Sequence, residues 1–447
     1  MSDDIAADLG DIEGWDGLGR VLVLSHTHPS ISKGGAEIAS YTLFNGLRAI
    51  GVDAVFVAAC PERDRPRLRL ESEAERVIIA DPVMYDGFYH ISAPSVLDQL
   101  RRLVAKERPA ILNFHHFLNY GLNALRAMAA PGGATATGPR MVVTLHEFLA
   151  VCHHHGQMVT HPARHLCEQA SPNACSACFP DRTPEQFDTR RRFALDALGR
   201  AAGFVSPSEF LADRFAGWGL PRSRIAVIEN GLRHAGTAAA PRGGIPMPRT
   251  ADRRWVFGFF GQINPFKGVD VLLKAAAMIE RSPELAQRVL IRIHGNIVGQ
   301  GAEFTARFEE AIATHSCLEY VGPYENSSVG RLMQACDYVL MPSTWWENSP
   351  VVIQEAYIAD RPVICSGIGG MAEKVRDGVT GLHFRMGDPG DLLHAMRRGA
   401  DLEVHAQLRA GIPKVIDARG MAEAYVATFR RCLAAPAAGL VPAPAAA

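Results

Sequence analysis

The chain is 447 residues long, 48% hydrophobic and 21% charged, with a formal net charge of −1 at pH 7. That length exceeds one ordinary core, so two or three domains are expected in a chain of normal globular composition. The near-zero charge leaves no global field for nucleic acid or an anionic membrane, and no run reaches the ~18 apolar residues of a membrane span.

Residues 1–19 read as an acidic tail: Asp3, Asp4, Asp8, Asp11, Glu13 and Asp16 all precede the first basic residue, Arg20. A secretory signal needs a basic start and an apolar core. The expectation is a cytoplasmic protein, with peripheral contact at the inner face of a membrane left open.

A first domain is expected over 20–235. Short apolar runs at 20–25, 54–58, 110–114, 141–145, 203–206 and 225–228 alternate with helical stretches. Such short, continuous, β-branched runs between helices suit parallel strands buried on both faces. A glycine loop with Gly34 and Gly35 opens a helix expected over 36–50, and a second helix is expected over 208–218. Histidines mark several strand ends: His26 and His28, His115 and His116, and His146. They are candidate contacts for a ligand in a cleft, against the plain alternative of a satisfied histidine.

The loop 146–180 is rich in Cys and His. Cys175-x-x-Cys178 has the local spacing of a zinc knuckle, and Cys152 and Cys167 would complete four thiolates around a structural Zn²⁺. Unrelated free thiols and an iron–sulfur or redox role are the alternatives. Cys60, Cys317, Cys336, Cys365 and Cys432 lie among apolar neighbours and read as buried thiols. Arg190-Arg191-Arg192 reads as a solvated helix face rather than a nucleic-acid patch.

Residues 236–254 are rich in Gly, Pro, Ala and Arg, as a linker would be. A second alternating set follows over 255–415, with strands expected at 255–260, 289–294, 318–321, 338–341, 362–365 and 381–384. A last helix, 416–433, is expected to pack back on the first domain. The Ala/Pro-rich tail 434–447 is expected to be disordered.

Three motifs sit at strand ends of the second domain. Gly261-Gln262-Ile263-Asn264-Pro265-Phe266-Lys267-Gly268 puts a lysine just before a helix, where it could meet a diphosphate. In Pro342 to Ala356 two carboxylates, Glu347 and Glu355, stand eight positions apart, one in a loop and one in the helix it opens. Ser349 is expected as the N-cap and Pro350 as the first helical residue. Phosphates would face the helix amides, and each carboxylate would take sugar hydroxyls. Ser366 to Glu373 carries Gly369-Gly370, where backbone amides can approach a phosphate or sugar closely.

This set, in this order, resembles the retaining family-4 glycosyltransferases of GT-B fold. The resemblance rests on Lys267-Gly268, Glu347 with Glu355, and Gly369-Gly370-x-x-Glu373. Gly34-Gly35-x-Glu37, Phe204 to Phe210 and Ile228 to Leu232 support it, and it spans about residues 20–433. It implies an α/β architecture of two Rossmann-like doubly wound domains facing across a cleft. It implies a nucleotide-diphosphate sugar as co-substrate and a saccharide or lipid-linked acceptor, in cell-envelope or exopolysaccharide biosynthesis.

Position by position, the resemblance gives Glu355 the ribose hydroxyls, Glu347 the donor-sugar hydroxyls and Lys267 the leaving diphosphate. The backbone of Asn348, Ser349, Pro350 and Val351 faces sugar and phosphate. His146 lies near the reacting carbon, and Gly34, Gly35, Gln262, Gly369 and Gly370 line the donor. His146, Glu347 and Lys267 are thus the expected catalytic set. Retention would come by front-face attack, with no catalytic metal; the chain has no Asp-x-Asp motif. One departure stands out: Gln262 occupies a place where the family often has Arg, and Arg292 or Arg233 could replace that charge. The rival readings are a nucleotide-sugar epimerase or hydrolase on the same fold, a phosphorylase, and a zinc-containing nucleic-acid binding protein. No pyridoxal-phosphate lysine pattern supports the phosphorylase.

Overall fold

A computed structural model describes residues 17–32, 34–129, 138–232 and 253–435. The acidic tail, the linker and the C-terminal tail expected from the sequence lie wholly or mostly outside these residues.

The first sheet has seven parallel strands in the order β3-β2-β1-β4-β5-β6-β7. They are β1 (Val21–Ser25), β2 (Ala54–Cys60), β3 (Glu75–Ile79), β4 (Ile111–Phe114), β5 (Arg140–Thr144), β6 (Gly203–Ser206) and β7 (Ile225–Val227). The second has six parallel strands, β10-β9-β8-β11-β12-β13. These are β8 (Trp255–Phe260), β9 (Val289–His294), β10 (Leu318–Gly322), β11 (Tyr338–Met341), β12 (Val363–Ser366) and β13 (Gly381–Phe384). The α/β class with two doubly wound domains, expected from the sequence, is what the chain adopts.

The strand runs are apolar because both faces are covered: every residue of β1, β2, β4, β6 and β8 is buried. Edge strand β3 escapes that pattern. Its sequence Glu-Arg-Val-Ile-Ile begins with two charges, and the short apolar run behind them, Val77 to Ala80, is not among the strands expected above. Glu75 is nonetheless buried, because His28 and the Tyr41 hydroxyl both bond its carboxylate.

Each sheet reverses direction of growth once, between β1 and β4 and between β8 and β11. Loops leaving the carboxyl ends of strands at such a reversal diverge and open a crevice. The loops that carry Gly34-Gly35, His115-His116, Lys267 and Glu347 are the four that leave these reversal strands. Fold topology therefore gathers motifs that lie up to several hundred residues apart.

The final helix, Ala418–Ala434, crosses back to the first domain. Met421, Tyr425, Val426 and Phe429 are fully buried with Leu43, Phe44, Leu47 and Phe56. Gly46 lets the backbones meet; a Cβ there would lie 2.3 Å from the Ala418 carbonyl oxygen. Tyr425 also shares a 3.2 Å hydrogen bond with Thr144 of β5. Further contacts tie the domains: Gln354 Nε2 donates to the Asn230 carbonyl at 2.6 Å, and Lys374 meets Glu229 at 2.5 Å.

Candidate functional site

The loop from β11 to the helix Val351–Ile358 holds Glu347, which is only 8% exposed. Three donors converge on one of its oxygens: Lys267 Nζ at 2.6 Å, Ser343 Oγ at 2.8 Å and Trp345 Nε1 at 2.8 Å. Burial alone would raise this carboxyl, but Lys267 and the neutral donors outweigh it, and its pKa lies below the ordinary range. Glu347 is thus a buried anion held by one cation.

Lys267 is placed by its own turn. Asn264 accepts the Lys267 N–H at 2.9 Å, and Gly268 follows in the left-handed region at φ +74°. A Cβ on Gly268 would lie 1.8 Å from the Pro342 carbonyl oxygen. Glycine is needed there so that the lysine turn and the Glu347 loop can touch. Trp345 stacks on Phe266 with centroids 5.6 Å apart, and the Lys267 ammonium sits 5.3 Å over the Trp345 ring.

Glu355 lies one turn into the helix and has a different character. Burial pushes its carboxyl up to about 7. Beside it, Tyr324 is raised to about 12 by burial and by the Glu355 charge. His294 ends β9, is 1% exposed and stacks flat on Phe260 at 4.5 Å. Among the described residues neither of its ring nitrogens has a partner, and burial, then Arg292, lowers its pKa to about 4. The sequence reading missed His294 and Tyr324. The position of His294 at the end of a strand beside a reversal was the signal available.

The helix start differs from expectation. It begins at Val351 with Pro350 in the capping position, and Ser349 makes no cap: among the described residues its buried hydroxyl has no partner. Proline fixes the extended backbone that leads into the first turn, so the helix does not depend on a side-chain cap. The Gly369-Gly370 turn also acts differently. The Gly370 N–H donates to the Glu347 carbonyl at 2.8 Å, and a Cβ there would lie 2.0 Å from the Asn348 carbonyl oxygen. This glycine shapes the Glu347 loop, and its amide is already used.

On the opposite wall, Gly34 is the N-cap of the helix Gly35–Ala49. The Glu37 carboxylate folds back against Gly34 and lies 3.4 Å from His26. Burial opposes ionisation of Glu37, but His26 and neighbouring donors bring its pKa down to about 2. His116 pairs with Glu147 at 3.0 Å, and the His26 and His116 rings lie 4.7 Å apart. His146 Nε2 and His115 Nδ1 share a 2.9 Å hydrogen bond. Burial, then His115, hold His146 well below the usual histidine range, so it enters the cleft neutral. Its carbonyl accepts from Asn348 Nδ2 at 3.0 Å, which joins His146 to the Glu347 loop. His28, by contrast, is 2% exposed, with one ring nitrogen on Glu75 and the other on Ser30.

Gln262 is exposed, with Asn264 at 3.5 Å as its recorded partner. Arg292 is committed to Glu319 at 2.8 Å, and Arg233 lies outside the described residues. Arg190, expected on a solvated face, is instead buried. It donates to the carbonyls of Phe88, Leu149 and Ala150, anchoring the start of the Cys/His-rich loop. Cys152, Cys167, Cys175 and Cys178 are free and half-buried. Burial, then Cys152 and Cys167, raise Cys175 to about 12. Among the described residues no group of three or more His, Cys, Asp or Glu is placed to hold a metal ion.

Residues 33–235 match the family described as Glycosyltransferase Family 4, and residues 254–401 the family described as Glycosyl transferases group 1. A D-inositol 3-phosphate glycosyltransferase of Kribbella flavida is 34% identical over 131 residues, 28% of this chain and 31% of that protein. One of Nocardia farcinica is 32% identical over 219 residues, 47% of each chain. The chain thus spans about a third to a half of the length of the curated relatives it matches. Among solved structures, the Anabaena protein HepE in complex with UDP and glucose matches 92% of this chain and 99% of its own. Its TM-score is 0.63 at 20% identity. Sucrose-phosphate synthase from Thermosynechococcus elongatus matches 93% and 99%, with a TM-score of 0.66 at 17% identity. At such identities these structures speak for the fold alone.

Proposed function

Since the chain belongs to the glycosyltransferases of GT-B fold with a family 4 and a group 1 domain, we propose that it moves a sugar, with retention, from a nucleoside-diphosphate sugar to a saccharide or lipid-linked acceptor. The observation that carries this reading is the Lys267–Glu347 pair with Glu355 a turn into the adjoining helix. A buried carboxylate paired with a lysine, followed by the half-buried Glu355 in the adjoining helix, suits a ligand that brings both anionic phosphates and hydroxyl donors. HepE, a protein of this fold, was solved in complex with UDP and glucose, in keeping with a nucleotide-sugar donor.

In this reading the diphosphate draws Lys267 away from Glu347, and the freed carboxylate accepts sugar hydroxyls. Glu355 takes the ribose hydroxyls. The bond from the anomeric carbon to the diphosphate oxygen breaks, and its electron pair stays on that oxygen. The acceptor oxygen bonds the same face of the carbon, and its proton passes to the leaving phosphate. Lys267 and the helix amides offset the charge that builds there. His146, held neutral, positions the sugar without adding charge beside the developing cation. The same reading places the work in cell-envelope or exopolysaccharide synthesis, on the cytoplasmic side of a membrane and without nucleic acid.

A thermal-shift panel of nucleotide sugars tests it. A donor present at a hundred times its Kd should stabilise the protein by about 2.7 kcal/mol. No shift with any donor overturns the reading, and release of free sugar without an acceptor moves it to a hydrolase. The zinc reading of the four cysteines rests on their spacing and shared neighbourhood. Less than about half an equivalent of metal per purified chain overturns it.

A further inference from the structure

A diphosphate carries at least two negative charges at neutral pH, so the cations around its place decide how it binds and leaves. Lys267 is already neutralised by Glu347 at 2.6 Å, Gln262 is uncharged, and Arg292 is paired with Glu319. Arg214 is paired with Glu168 at 2.7 Å.

Among the described residues, Arg164 lies beside the Lys267 turn, and it comes from the other domain. Residues 158–167 fold as a narrow arm. Val159 bridges Leu166, and backbone bonds join Thr160 to His165 and Cys167 to Met158, each at 2.8 Å. The base of the arm is fixed to the donor loop, because the Cys167 carbonyl accepts the Trp346 indole N–H at 3.1 Å. Its tip, 161–165, is exposed. There Arg164 adopts φ 58°, and its guanidinium carbon lies 5.8 Å from the Phe266 ring centroid. Phe266 directly precedes Lys267 and stacks on Trp345, over which the Lys267 ammonium also lies. Arg164 and Lys267 therefore flank one pair of stacked rings. Among the described residues Arg164 has no recorded ion pair.

We infer that Arg164 is a diphosphate-binding residue, carried across the cleft by the arm, and that it supplies the charge Gln262 lacks. The inference rests on the donor reading proposed above. A guanidinium offers two parallel N–H groups to phosphate oxygens, and an aromatic face holds its plane without removing its charge. When the bond to the anomeric carbon breaks, the electron pair adds to the charge on the leaving diphosphate. Arg164 then contributes more to the transition state than to donor binding. This gives the Cys/His-rich loop a role: it aims the arm.

Calorimetry on the full chain with uridine, guanosine and adenosine diphosphates tests this. For the diphosphate that binds the wild type, Arg164→Ala should weaken binding about tenfold, as for one lost charge-assisted contact. Binding of the matching nucleoside should not change, and Arg164→Lys should recover part of the loss. His165→Ala, at the same tip, should leave diphosphate binding unchanged. Three results overturn the inference: undiminished diphosphate binding by Arg164→Ala, an equal loss for the nucleoside, or an equal loss in His165→Ala. Failure of the wild type to bind any of the three diphosphates instead overturns the donor reading, and this inference with it.

Discussion

At the scale of single residues, the two glutamates of the donor helix are chemically unlike, and each leads to its own test. Glu347 is a buried anion stabilised by one cation, so removing the cation should cost more than removing both charges. Lys267→Met is expected to destabilise the fold by about 1–3 kcal/mol, with the double variant Lys267→Met/Glu347→Gln losing less than Lys267→Met alone. Denaturant unfolding measures this. Glu347→Gln alone should lower kcat/KM by about one to two decades, from loss of charge-assisted hydroxyl contacts. Glu355, by contrast, has a carboxyl raised to about 7 by burial. Hydroxyl donors favour its charged form, so donor affinity should be full above pH 7 and fall as the pH drops through 7. About tenfold weaker binding at pH 6 than at pH 8 is expected, and Glu355→Gln should flatten the profile. The sign for stability is opposite. A raised carboxyl contributes stability below its unfolded value, which is lost as the pH rises through 7.

At the scale of elements, the donor loop is held by glycines that admit a neighbouring backbone. Gly370 is the sharper case: a methyl there meets the Asn348 carbonyl oxygen at 2.0 Å. Gly370→Ala should cost about 1–3 kcal/mol in thermal unfolding and lower kcat/KM as well, because the loop carrying Glu347 must move. The pattern Gly369-Gly370 was legible in the sequence, but its use was not. Its spacing allowed a phosphate cradle, whereas the structure gives the Gly370 amide to Glu347. Likewise Ser349-Pro350 announced a helix start correctly to within a residue, yet the serine does not cap. Element type follows from local sequence; which atom fills each hydrogen bond depends on what packs beside it. Strand β3 shows the converse: Val77 to Ala80 is an apolar run in the sequence, but only the structure shows its leading Glu75 buried on His28 and Tyr41.

At the scale of the whole molecule, the last helix belongs to the core of the first domain. Truncation before Ala418 would expose the site of Met421, Tyr425 and Phe429, each fully buried. At about 1.5–3 kcal/mol per large apolar side chain, their loss rivals the 5–15 kcal/mol net stability of a domain. The truncated chain is expected to lose cooperative unfolding of its first domain by circular dichroism. The sequence by itself determined the alternation of strands and helices, the two-domain class, and the order of the donor motifs. These follow from hydrophobic period, turn residues and helix-start residues, which act over a few positions. Only the tertiary structure decided the pairings: Lys267 with Glu347, His26 with Glu37, Asn348 with His146, and Arg164 over Phe266. These join residues eleven to about two hundred positions apart. They arise where the strand order reverses and two domains meet, and no local period along the chain encodes that meeting.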